Sequence, residues 1–581
     1  LSSSSAASDV YKRQLVTPSV DLGNQRGDTR TPLFWIPTFM LPKSLKFDVA
    51  IVGAGFAGMY MLHKLRQLGM SAVVFEAGDD VGGTWYWNRY PGARCDAESL
   101  AYSFSFSPEL EQEWEWSERY APQPEILEYA RHVSRRFDLR KDIHFETRVT
   151  TAHYQDDSLN WHLETDKGHS VVARFCVMAT GCLSVPQLPD IPGVQNFKGN
   201  LYQASRWPHE PVSFKNQRVG IIGTGSSGIQ AIPVIAEEAD HLTVFQRTPN
   251  FSVPAKNEPL DQGWVDEFKK NYRAHRENHK HAIGSGFGDL KIEPRDGPAE
   301  PILRSQLSED KATLILEEAW ETGGAKFMGA ISDQLMNEEA NQFAKEFVHR
   351  KIQETVIDQD TANLLCPTNH PIGTRRICVD IGYYETYNRE NVTLRSVKDS
   401  PIEKITESGV MVNGELTALD TLVLATGFDA MTGALLKIDI RGKEGLALSD
   451  KWHAGPRSYL GIAVADFPNL FTVTGPGSPS VLSNMLVSIE QHVDWMVDCM
   501  AHMKEQDLKV IEAQPQAEDD WVSHVNDVAN MTLFPKGGSW YLGANVKGKP
   551  RIFMPYAAGV GAYREVCNQV TAKGYEGFTF H

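Results

Sequence analysis

The sequence lacks the features that define several common classes of protein. Its seven cysteines lie far apart, with no Cys-x-x-Cys pair and no disulfide-dense cluster. This spacing argues against a disulfide-stapled secreted fold and favours a reducing, cytoplasmic setting. No apolar run approaches the roughly 18 residues that a membrane helix needs, so we expect no membrane partner. The Gly-x-Ser-x-Gly motif is also absent, which disfavours a serine hydrolase.

Excess positive charge is missing as well. The 581 residues include 57 basic and 74 acidic side chains, giving a formal net charge of −17. Such a chain repels nucleic acid and anionic membranes, so we expect neither as a partner. The length is sufficient for roughly three or four domain-sized units with a large core.

The first 44 residues are interpreted as an N-terminal extension that is partly non-native or disordered. The opening LSSSSAASDVYKRQ has no initiator Met and no hydrophobic signal core, and it resembles translated adapter sequence, so we exclude it from fold reasoning. The following PLFWIPTFMLP is short and broken by prolines. It is expected to pack as a surface strap.

A first glycine-rich turn follows a β-branched strand predicted over residues 47–52. In FDVAIVGAGFAGMYMLHKL the glycines are Gly53, Gly55 and Gly58, and an amphipathic helix begins among them. This is the dinucleotide fingerprint in its required context, because the loop glycines and the helix N-terminus approach a pyrophosphate. The next predicted strand ends in Glu76, whose carboxylate can accept a hydrogen bond from a ribose 2′-hydroxyl.

A second fingerprint occurs in RVGIIGTGSSGIQAIPVI, with glycines at 223, 225 and 228. At the position that corresponds to Glu76 this repeat has Gln246, followed by Arg247 and Thr248. No carboxylate opposes a 2′-phosphate there, and a guanidinium is available to bind one. The sequence therefore predicts FAD at the first site and NADPH at the second. The alternative, that Arg247 is a solvated charge at a strand end, stays open.

Two short apolar strands, in CVMATGCLS and TLVLATGFDA, end in Ala-Thr-Gly turns that are typical of chains returning to a bound dinucleotide. Between residues 257 and 365 the composition predicts charged helices, and we interpret this region as a helical insertion. His275 and His279 within it have the spacing of metal ligands. Without a third ligand, a solvated helix face is favoured and no metal is expected.

Two further motifs identify a family. GGTWYWNRYPGARCD, residues 82–96, and FKGNLYQASRWP, residues 197–208, resemble signatures of the Baeyer–Villiger monooxygenases. HPIGTRRICVDIGYYETYNRENV, GPGSPSVLSNMLVSIEQHVDW and SWYLGANVKGKPRIFMPY also resemble that family. The likeness extends from about residue 47 to the C-terminus. It departs at Gln203, where the family has His.

The resemblance implies an α/β fold with two Rossmann-like domains and a helical insertion. The implied segments are 1–44 (extension), 45–190 (first part of the FAD-binding domain), 191–256 (first part of the NADP-binding domain), 257–365 (insertion), 366–420 (second part of the NADP-binding domain) and 421–581 (second part of the FAD-binding domain and C-terminal segment).

The reaction implied by the resemblance transfers a hydride from NADPH to FAD, captures O2 as a flavin C4a-peroxide and inserts one oxygen beside a ketone carbonyl, with sulfoxidation expected as well. A ketone and O2 are the expected small-molecule partners of a monomer. By resemblance Arg376 is the cation near the reacting oxygens and Asp96 holds it. Arg375 stands where the family has Lys, beside the 2′-phosphate.

The resemblance also assigns cofactor contacts. In addition to the three glycines of the first loop, the implied FAD contacts are Glu76, Thr84, Trp85, Tyr86, Trp87, Asp96, Tyr102, Val149 and Met485. The implied NADP contacts are Arg94, Cys95, Asp96, Thr224, Gly225, Ser226, Ser227, Gly228, Ile229, Gln230, Arg247, Thr248, Arg375, Arg376 and Trp540. For Trp540 and Met485, ordinary core packing is the alternative. The loop 478–485, with Val481, is similar to a substrate loop and suggests aromatic, acyclic or bulky ketones.

Three alternatives come from other classes. A disulfide reductase of this architecture needs a close cysteine pair, and Cys95 has no neighbour in sequence, so we reject it. An N- or S-oxygenating flavin monooxygenase shares both fingerprints, and products from an amine and a ketone would distinguish it. A non-enzymatic NADP-bound redox sensor would be colourless and would consume no NADPH.

The departure at Gln203 generates a first prediction. If the family His were an obligatory acid or base, this protein would be inactive, because an amide does not exchange a proton near neutral pH. A hydrogen-bonding joint between the two domains needs no such group, so we expect an active enzyme. Gln203→His should keep the ester yield per NADPH within about a factor of five of the parent. A parent that turns NADPH only into peroxide, beside a Gln203→His variant that makes ester, would contradict this interpretation.

Overall fold

Two largely parallel sheets, each behind one glycine-rich loop, dominate the computed structural model of the chain, which describes residues 45–282 and 300–581. The predicted extension 1–44, its strap, and residues 283–299 of the predicted insertion lie outside the described residues. The described part contains twenty strands and sixteen α-helices.

The strands in chain order are β1 (Leu45–Val52), β2 (Ala72–Phe75), β3 (Ile143–His144), β4 (Val149–Gln155), β5 (Asn160–Thr165), β6 (Ser170–Met178), β7 (Asn200–Gln203), β8 (Arg218–Ile222), β9 (His241–Gln246), β10 (Ser252–Pro254), β11 (Cys378–Asp380), β12 (Val392–Ser396), β13 (Ile402–Thr406), β14 (Gly409–Val412), β15 (Glu415–Ala418), β16 (Thr421–Leu424), β17 (Asp439–Arg441), β18 (Leu470–Thr472), β19 (Ile511–Ala513) and β20 (Phe578–Phe580).

The helices in chain order are α1 (Phe56–Gln67), α2 (Thr84–Trp87), α3 (Pro108–Glu113), α4 (Gln123–Arg136), α5 (Ser226–Glu238), α6 (Gln262–Lys270), α7 (Tyr272–Lys280), α8 (Glu309–Thr322), α9 (Glu338–Thr355), α10 (Gln359–Leu365), α11 (Tyr383–Thr386), α12 (Gly433–Leu436), α13 (Leu448–Lys451), α14 (Met485–Glu505), α15 (Pro515–Asn530) and α16 (Val560–Ala572).

The first sheet has the order β17-β4-β5-β6-β1-β2-β3, with β18 also beside β6. Its centre, β6-β1-β2, is parallel. Residues 49–52 of β1 are all buried, because a strand covered on both faces needs a continuous apolar run. The predicted strand 47–52 is confirmed and begins two residues earlier, at Leu45.

The second sheet is parallel throughout and has the order β12-β9-β8-β16-β7. The strand β16 pairs with both β7 and β8. This sheet therefore continues to Leu424, past the predicted boundary between residues 420 and 421. The sequence TLVL of β16 is apolar on both faces and looks the same in either sheet, so sequence alone could not assign it.

Helices fill the described parts of the predicted insertion, and α9 shows how they pack. Its buried residues include Ala340, Ala344, Phe347, Val348 and Ile352, which follow the three- and four-residue spacing of a helix face. All of these except Ala340 belong to the same apolar cluster as Val219 and Ile221 of β8 and Leu242 and Val244 of β9. The insertion therefore extends the core of the second sheet.

The face of α7 that carries His275 and His279 is half-buried, contrary to the solvated face that we expected. Arg276 lies between them and pairs with buried Glu111 at 2.9 Å, which turns this face inward. Burial lowers the pKa of His279 to about 3. Within the described ranges no group of three His, Cys, Asp or Glu side chains could hold a metal ion.

None of the helices that the structure describes combines the length and the apolar character needed to cross a bilayer.

The first loop generates a stability prediction. Gly53 has φ +105°, and a Cβ there would lie 2.5 Å from the carbonyl oxygen of Ala179. Gly69 also has positive φ, at +70°, but a Cβ there meets nothing within 4 Å. Gly69→Ala should therefore cost about 1–2 kcal/mol from backbone strain alone. Gly53→Ala should cost at least about 2 kcal/mol more, because β1 and β6 must also move apart.

Urea unfolding of both variants, with the flavin absorbance of the purified proteins, measures the difference. Equal losses of unfolding free energy, with flavin retained in both, would contradict the packing argument.

Candidate active site

The first glycine-rich loop is shaped by close backbone contacts. A Cβ at Gly58 would lie 1.9 Å from the carbonyl oxygen of Gly53, and Gly53 itself abuts Ala179 in the Ala-Thr-Gly turn after β6. These contacts hold the start of α1 against the end of β1. The free N–H groups of α1 thus point to a cradle without side chains, which fits a pyrophosphate.

Glu76 directly follows β2, beside this cradle. Its buried carboxylate accepts hydrogen bonds from the backbone N–H of Ala54, at 2.7 Å, and of Gly78, at 2.8 Å. Burial outweighs these two bonds and raises the pKa of Glu76. The carboxylate braces the loop, and its remaining lone pairs fit the predicted ribose contact.

The motif of residues 82–96 lies against the same loop. A Cβ at Gly83 would come within 2.9 Å of the Cα of Gly55, so α2 starts directly beside the cradle. Thr84 is exposed there. The indole N–H of Trp85 donates to the hydroxyl of Tyr102 at 3.1 Å.

The other predicted FAD contacts are placed by packing. The hydroxyl of Tyr86 accepts from the backbone N–H of Asp79 at 3.3 Å, and Trp87 packs edge-on against Tyr86. Val149 is buried at the start of β4. Met485 is half-buried at the first turn of α14. These positions alone do not test the predicted contacts of Val149 and Met485 with FAD, which stay predictions.

The second loop repeats the geometry of the first. Gly223 has φ +113°, and a Cβ there would lie 2.4 Å from the carbonyl oxygen of Ala425, in the second Ala-Thr-Gly turn. A Cβ at Gly228 would lie 2.2 Å from the carbonyl oxygen of Gly223, whereas Gly225 has open space. The hydroxyl of Thr224 donates to the carbonyl of Thr248 at 3.0 Å. Both Ala-Thr-Gly turns thus meet a glycine-rich loop, as predicted.

The strand end that distinguishes the two sites is basic. The Gln246 side chain turns inward and donates to the carbonyl of Leu364 at 2.8 Å, whereas Arg247 is exposed. Arg375 donates to the carbonyl of Gly537 at 2.9 Å. Burial and the nearby charge of Arg247 both lower the pKa of Arg375. Among the described residues no carboxylate pairs with Arg247 or Arg375, so this pair of cations fits a phosphate dianion.

Arg376 points away from its neighbour Arg375 and meets Asp96. Its Nε donates to one carboxylate oxygen at 2.7 Å and its Nη2 to the other at 2.8 Å, and its Nη1 donates to the carbonyl of Val481. The two side chains are 23% and 26% exposed. Burial alone would lower the pKa of Arg376, but the charge and hydrogen bonds of Asp96 outweigh it and raise the pKa.

Several predicted NADP contacts have their side chains engaged elsewhere. Ile229 is fully buried in the core behind α5, and Cys95 is buried. Arg94 forms an ion pair with Glu118 at 2.6 Å. The exposed Ser226 lies at the first turn of α5 beside half-buried Ser227. Their contacts with the cofactor stay predictions.

Sequence reasoning missed Tyr541. It follows Trp540, whose ring lies 4.4 Å from that of Tyr541, and its side chain is buried beside Arg376. Burial raises the pKa of Tyr541 to about 12. The charge of Arg376 and its hydrogen bond with Tyr541 act in the opposite direction. The only sequence signal was its place in the segment SWYLGAN, which does not distinguish a core aromatic from a functional one.

The joint 197–208 is tightly packed. A Cβ at Gly199 would lie 2.3 Å from the carbonyl oxygen of Asp420, and Trp207 is buried against Tyr202. Gln203 ends β7 in register with Leu424. Its amide nitrogen is buried without a hydrogen-bond partner in the described part of the chain, so the hydrogen-bonding role expected for Gln203 stays a prediction.

Comparison with known proteins gives a consistent result. Residues 50–284, which include both loops, match the family described as pyridine nucleotide-disulphide oxidoreductase. A cyclohexanone 1,2-monooxygenase from an Acinetobacter species is 41% identical over 93% of this chain and 97% of its own length. A Baeyer–Villiger monooxygenase from Pseudooceanicola batsensis is 40% identical over 91% and 95%. A phenazine N-monooxygenase from Lysobacter antibioticus is 39% identical over 92% and 97%.

Solved structures are similar along the same length. Oxidized steroid monooxygenase bound to NADP is 48% identical, with a TM-score of 0.87 over 92% of this chain and 99% of that chain. OTEMO in complex with FAD and NADP is 38% identical, with a TM-score of 0.88 over 93% and 100%.

The two cations beside the second loop generate a prediction about cofactor choice. If Arg247 binds the 2′-phosphate as predicted, Arg247→Ala removes a charge-assisted bond that is worth about 1.5–3 kcal/mol. It should therefore weaken NADPH use roughly 10- to 150-fold and leave NADH use almost unchanged. Steady-state kinetics with both coenzymes measure this.

Arg218→Ala is the matched control, because Arg218 is an exposed Arg at the start of β8, where it pairs with Asp420. Equal losses with NADPH and NADH would show that Arg247 supports the fold and does not bind the phosphate.

Proposed function

This chain belongs to the Baeyer–Villiger monooxygenase family, and on that premise we propose that Arg376, held by Asp96, is the group that stabilises the reacting oxygens. The enzyme is FAD-dependent, consumes NADPH and inserts one oxygen atom of O2 beside a ketone carbonyl, giving an ester or lactone. When bound, FAD accepts a hydride from NADPH and activates O2 for attack on the ketone.

The observation that carries the proposal is the two-point contact between Arg376 and Asp96. Negative charge develops on oxygen during attack on a carbonyl, and a preorganised cation in a water-poor site stabilises such an oxygen by about 3–4 kcal/mol. A raised pKa keeps Arg376 charged at any working pH. The planar fork is fixed by a carboxylate on one edge and by the Val481 carbonyl on another, so its position costs no reorganisation during the reaction.

For the cofactors, we propose that Glu76 and the first loop hold FAD, and that the second loop holds NADPH. Support for the second assignment comes from Arg247 and Arg375, two cations without a carboxylate partner among the described residues. Their charges suit a 2′-phosphate, which NADPH has and NADH lacks.

For the substrate, we propose a ketone with an apolar group. Val481 lies in the loop 478–485 and belongs to a buried apolar cluster. Other members of that cluster are Met431, Phe534 and Phe553, and partly buried Trp540 packs against it. An apolar wall beside Arg376 favours hydrophobic substituents on the carbonyl carbon through burial.

Oxygenation of sulfur or nitrogen is a second candidate activity. The relative described as a phenazine N-monooxygenase is about as similar to this chain as the ketone-oxidising relatives are. The same activated oxygen can be donated to a sulfide or an amine, so product analysis on a panel of ketones, sulfides and amines decides between the activities.

We further propose that the enzyme is monomeric and cytoplasmic. The cytoplasmic location is supported by the reducing setting that the dispersed cysteines favour.

The role of Arg376 generates a test. Arg376→Ala should bind FAD yet lose ester formation by at least about 10²-fold, because the developing oxyanion is no longer stabilised. Gas chromatography of the products from a ketone panel, with the flavin spectrum of each preparation, measures both quantities.

Arg376→Lys separates charge from geometry, since Lys keeps the charge but not the two-point contact. Near-normal ester yield from Arg376→Ala would remove Arg376 from the mechanism.

A further inference from the structure

One loop makes several of the polar links between the part of the chain that carries the first sheet and the part that carries the second, and another set joins Glu118, Arg119 and Tyr120 to residues 255–258 and Thr322. This bridge loop comprises residues 90–96. The hydroxyl of Tyr90 donates to the Oε1 of Gln230 on α5 at 2.8 Å, and the Nε2 of Gln230 donates back to the carbonyl of Arg94 at 3.0 Å. Both ends of the Gln230 amide are therefore used by the bridge loop.

The backbone of the bridge loop lies directly on α5. Gly92 has φ +75°, and a Cβ there would lie 2.2 Å from the carbonyl oxygen of Gln230. Only glycine permits both this backbone conformation and this approach. The two hydrogen bonds of Gln230 thus flank a point where loop and helix are in contact.

The bridge loop is fixed firmly to the first part of the chain. The guanidinium of Arg94 pairs with Glu118 and donates to the carbonyl of Tyr120, and the backbone N–H of Cys95 donates to Ala121 at 3.2 Å. The loop therefore behaves as an extension of the first sheet's domain, and α5 is the element that it must meet.

Asp96 ends the same loop, two residues after Arg94. Its partner Arg376 comes from the other part of the chain, just before β11. The Asp96–Arg376 pair and the Tyr90–Gln230–Arg94 bridge are thus two contacts between the same two parts, made by seven consecutive residues. A small displacement of α5 relative to the bridge loop would change the geometry in which Asp96 meets Arg376.

We propose that Tyr90 and Gln230 are positioning residues, which fix the two dinucleotide-binding parts in the orientation where Asp96 aligns Arg376. This inference rests on the proposed role of Arg376. It also gives Gln230 a second role beside the predicted NADP contact, because its amide is engaged at both ends. Burial raises the pKa of Tyr90 to about 12, so its hydroxyl remains a hydrogen-bond donor throughout the working pH range.

The test removes one hydroxyl. Tyr90→Phe keeps the ring and leaves Gln230 without its donor. If the bridge aligns Arg376, the yield of ester per NADPH oxidised should fall at least about fivefold, with peroxide replacing ester. NADPH oxidation itself should stay within about threefold of the parent, because Tyr90 is not among the predicted NADP contacts and Ser227, which its hydroxyl also meets, is unchanged.

Tyr154→Phe is the matched control. Tyr154 is a buried tyrosine on β4, and its hydroxyl has no hydrogen-bond partner in the described ranges. Thermal unfolding of FAD-loaded protein and the dissociation constant of NADP+, from flavin absorbance, are measured for both variants. A structural role alone would lower the unfolding temperature of Tyr90→Phe below that of the control and leave the ester yield unchanged, which would overturn the inference.

A double-variant cycle completes the test. At saturating NADPH, where the predicted NADP contact of Gln230 does not limit the yield, Gln230→Ala should give the same loss of yield as Tyr90→Phe. The double variant should lose no more than the worse single variant, because both changes break one bridge. Additive losses would show two separate roles and contradict the inference. If Tyr90→Phe fails to retain FAD, Gln230→Ala alone should lower the yield of ester per NADPH oxidised at least about fivefold, and a smaller loss would contradict the inference.

The two proposals fail in different ways. Normal ester yield from Tyr90→Phe, beside an inactive Arg376→Ala, would overturn the bridge and leave Arg376 in place. Normal ester yield from Arg376→Ala would overturn the proposed function first.

Discussion

The contact between Asp96 and Arg376 is the interaction on which the arrangement of this site depends. The carboxylate belongs to the first part of the chain and the guanidinium to the second, and 280 residues separate them. A partly buried ion pair contributes little net stability, because desolvation offsets most of the attraction. Its value is geometric, since two parallel N–H···O bonds tolerate little rotation. The two-point contact can therefore form only when the two dinucleotide-binding parts are correctly oriented.

Both parts form their glycine-rich loop with the same backbone geometry. Each first glycine has a strongly positive φ and abuts an Ala-Thr-Gly turn, and each third glycine lies against the carbonyl of the first. The glycine spacing was a reliable predictor because no other residue fits those contacts. The two parts differ after the strand that follows each loop. There the buried carboxylate of Glu76 accepts a hydrogen bond from the first loop, whereas the second part has the exposed cation Arg247.

Sequence patterns could predict the central strands β1, β2, β8 and β9, the two glycine-rich loops and the strand-end charges, because each depends on neighbours within about 30 residues. They could not assign β16 to a sheet, since its four buried residues, one Thr and three apolar, suit either one. They also misjudged α7, whose half-buried face depends on Arg276 reaching Glu111 from 165 residues away. Tyr541 and the bridge through Gln230 were missed for the same reason. A buried hydroxyl or amide shows its partner only when distant segments meet.

The neighbours Arg375 and Arg376 lie between the cations beside the second loop and the contact with Asp96. Their side chains diverge, one toward Gly537 and the charge of Arg247 and the other toward Asp96. The carbonyl of Arg376 is also held by the side chain of Asn250, which donates to it at 3.1 Å. A phosphate that neutralised the two repelling cations would hold this backbone more firmly, and Arg376 would be held with it. On the proposed roles of Arg375 and Arg376, coenzyme binding would therefore steady the cation beside Asp96, which would favour consuming NADPH only where ester can form.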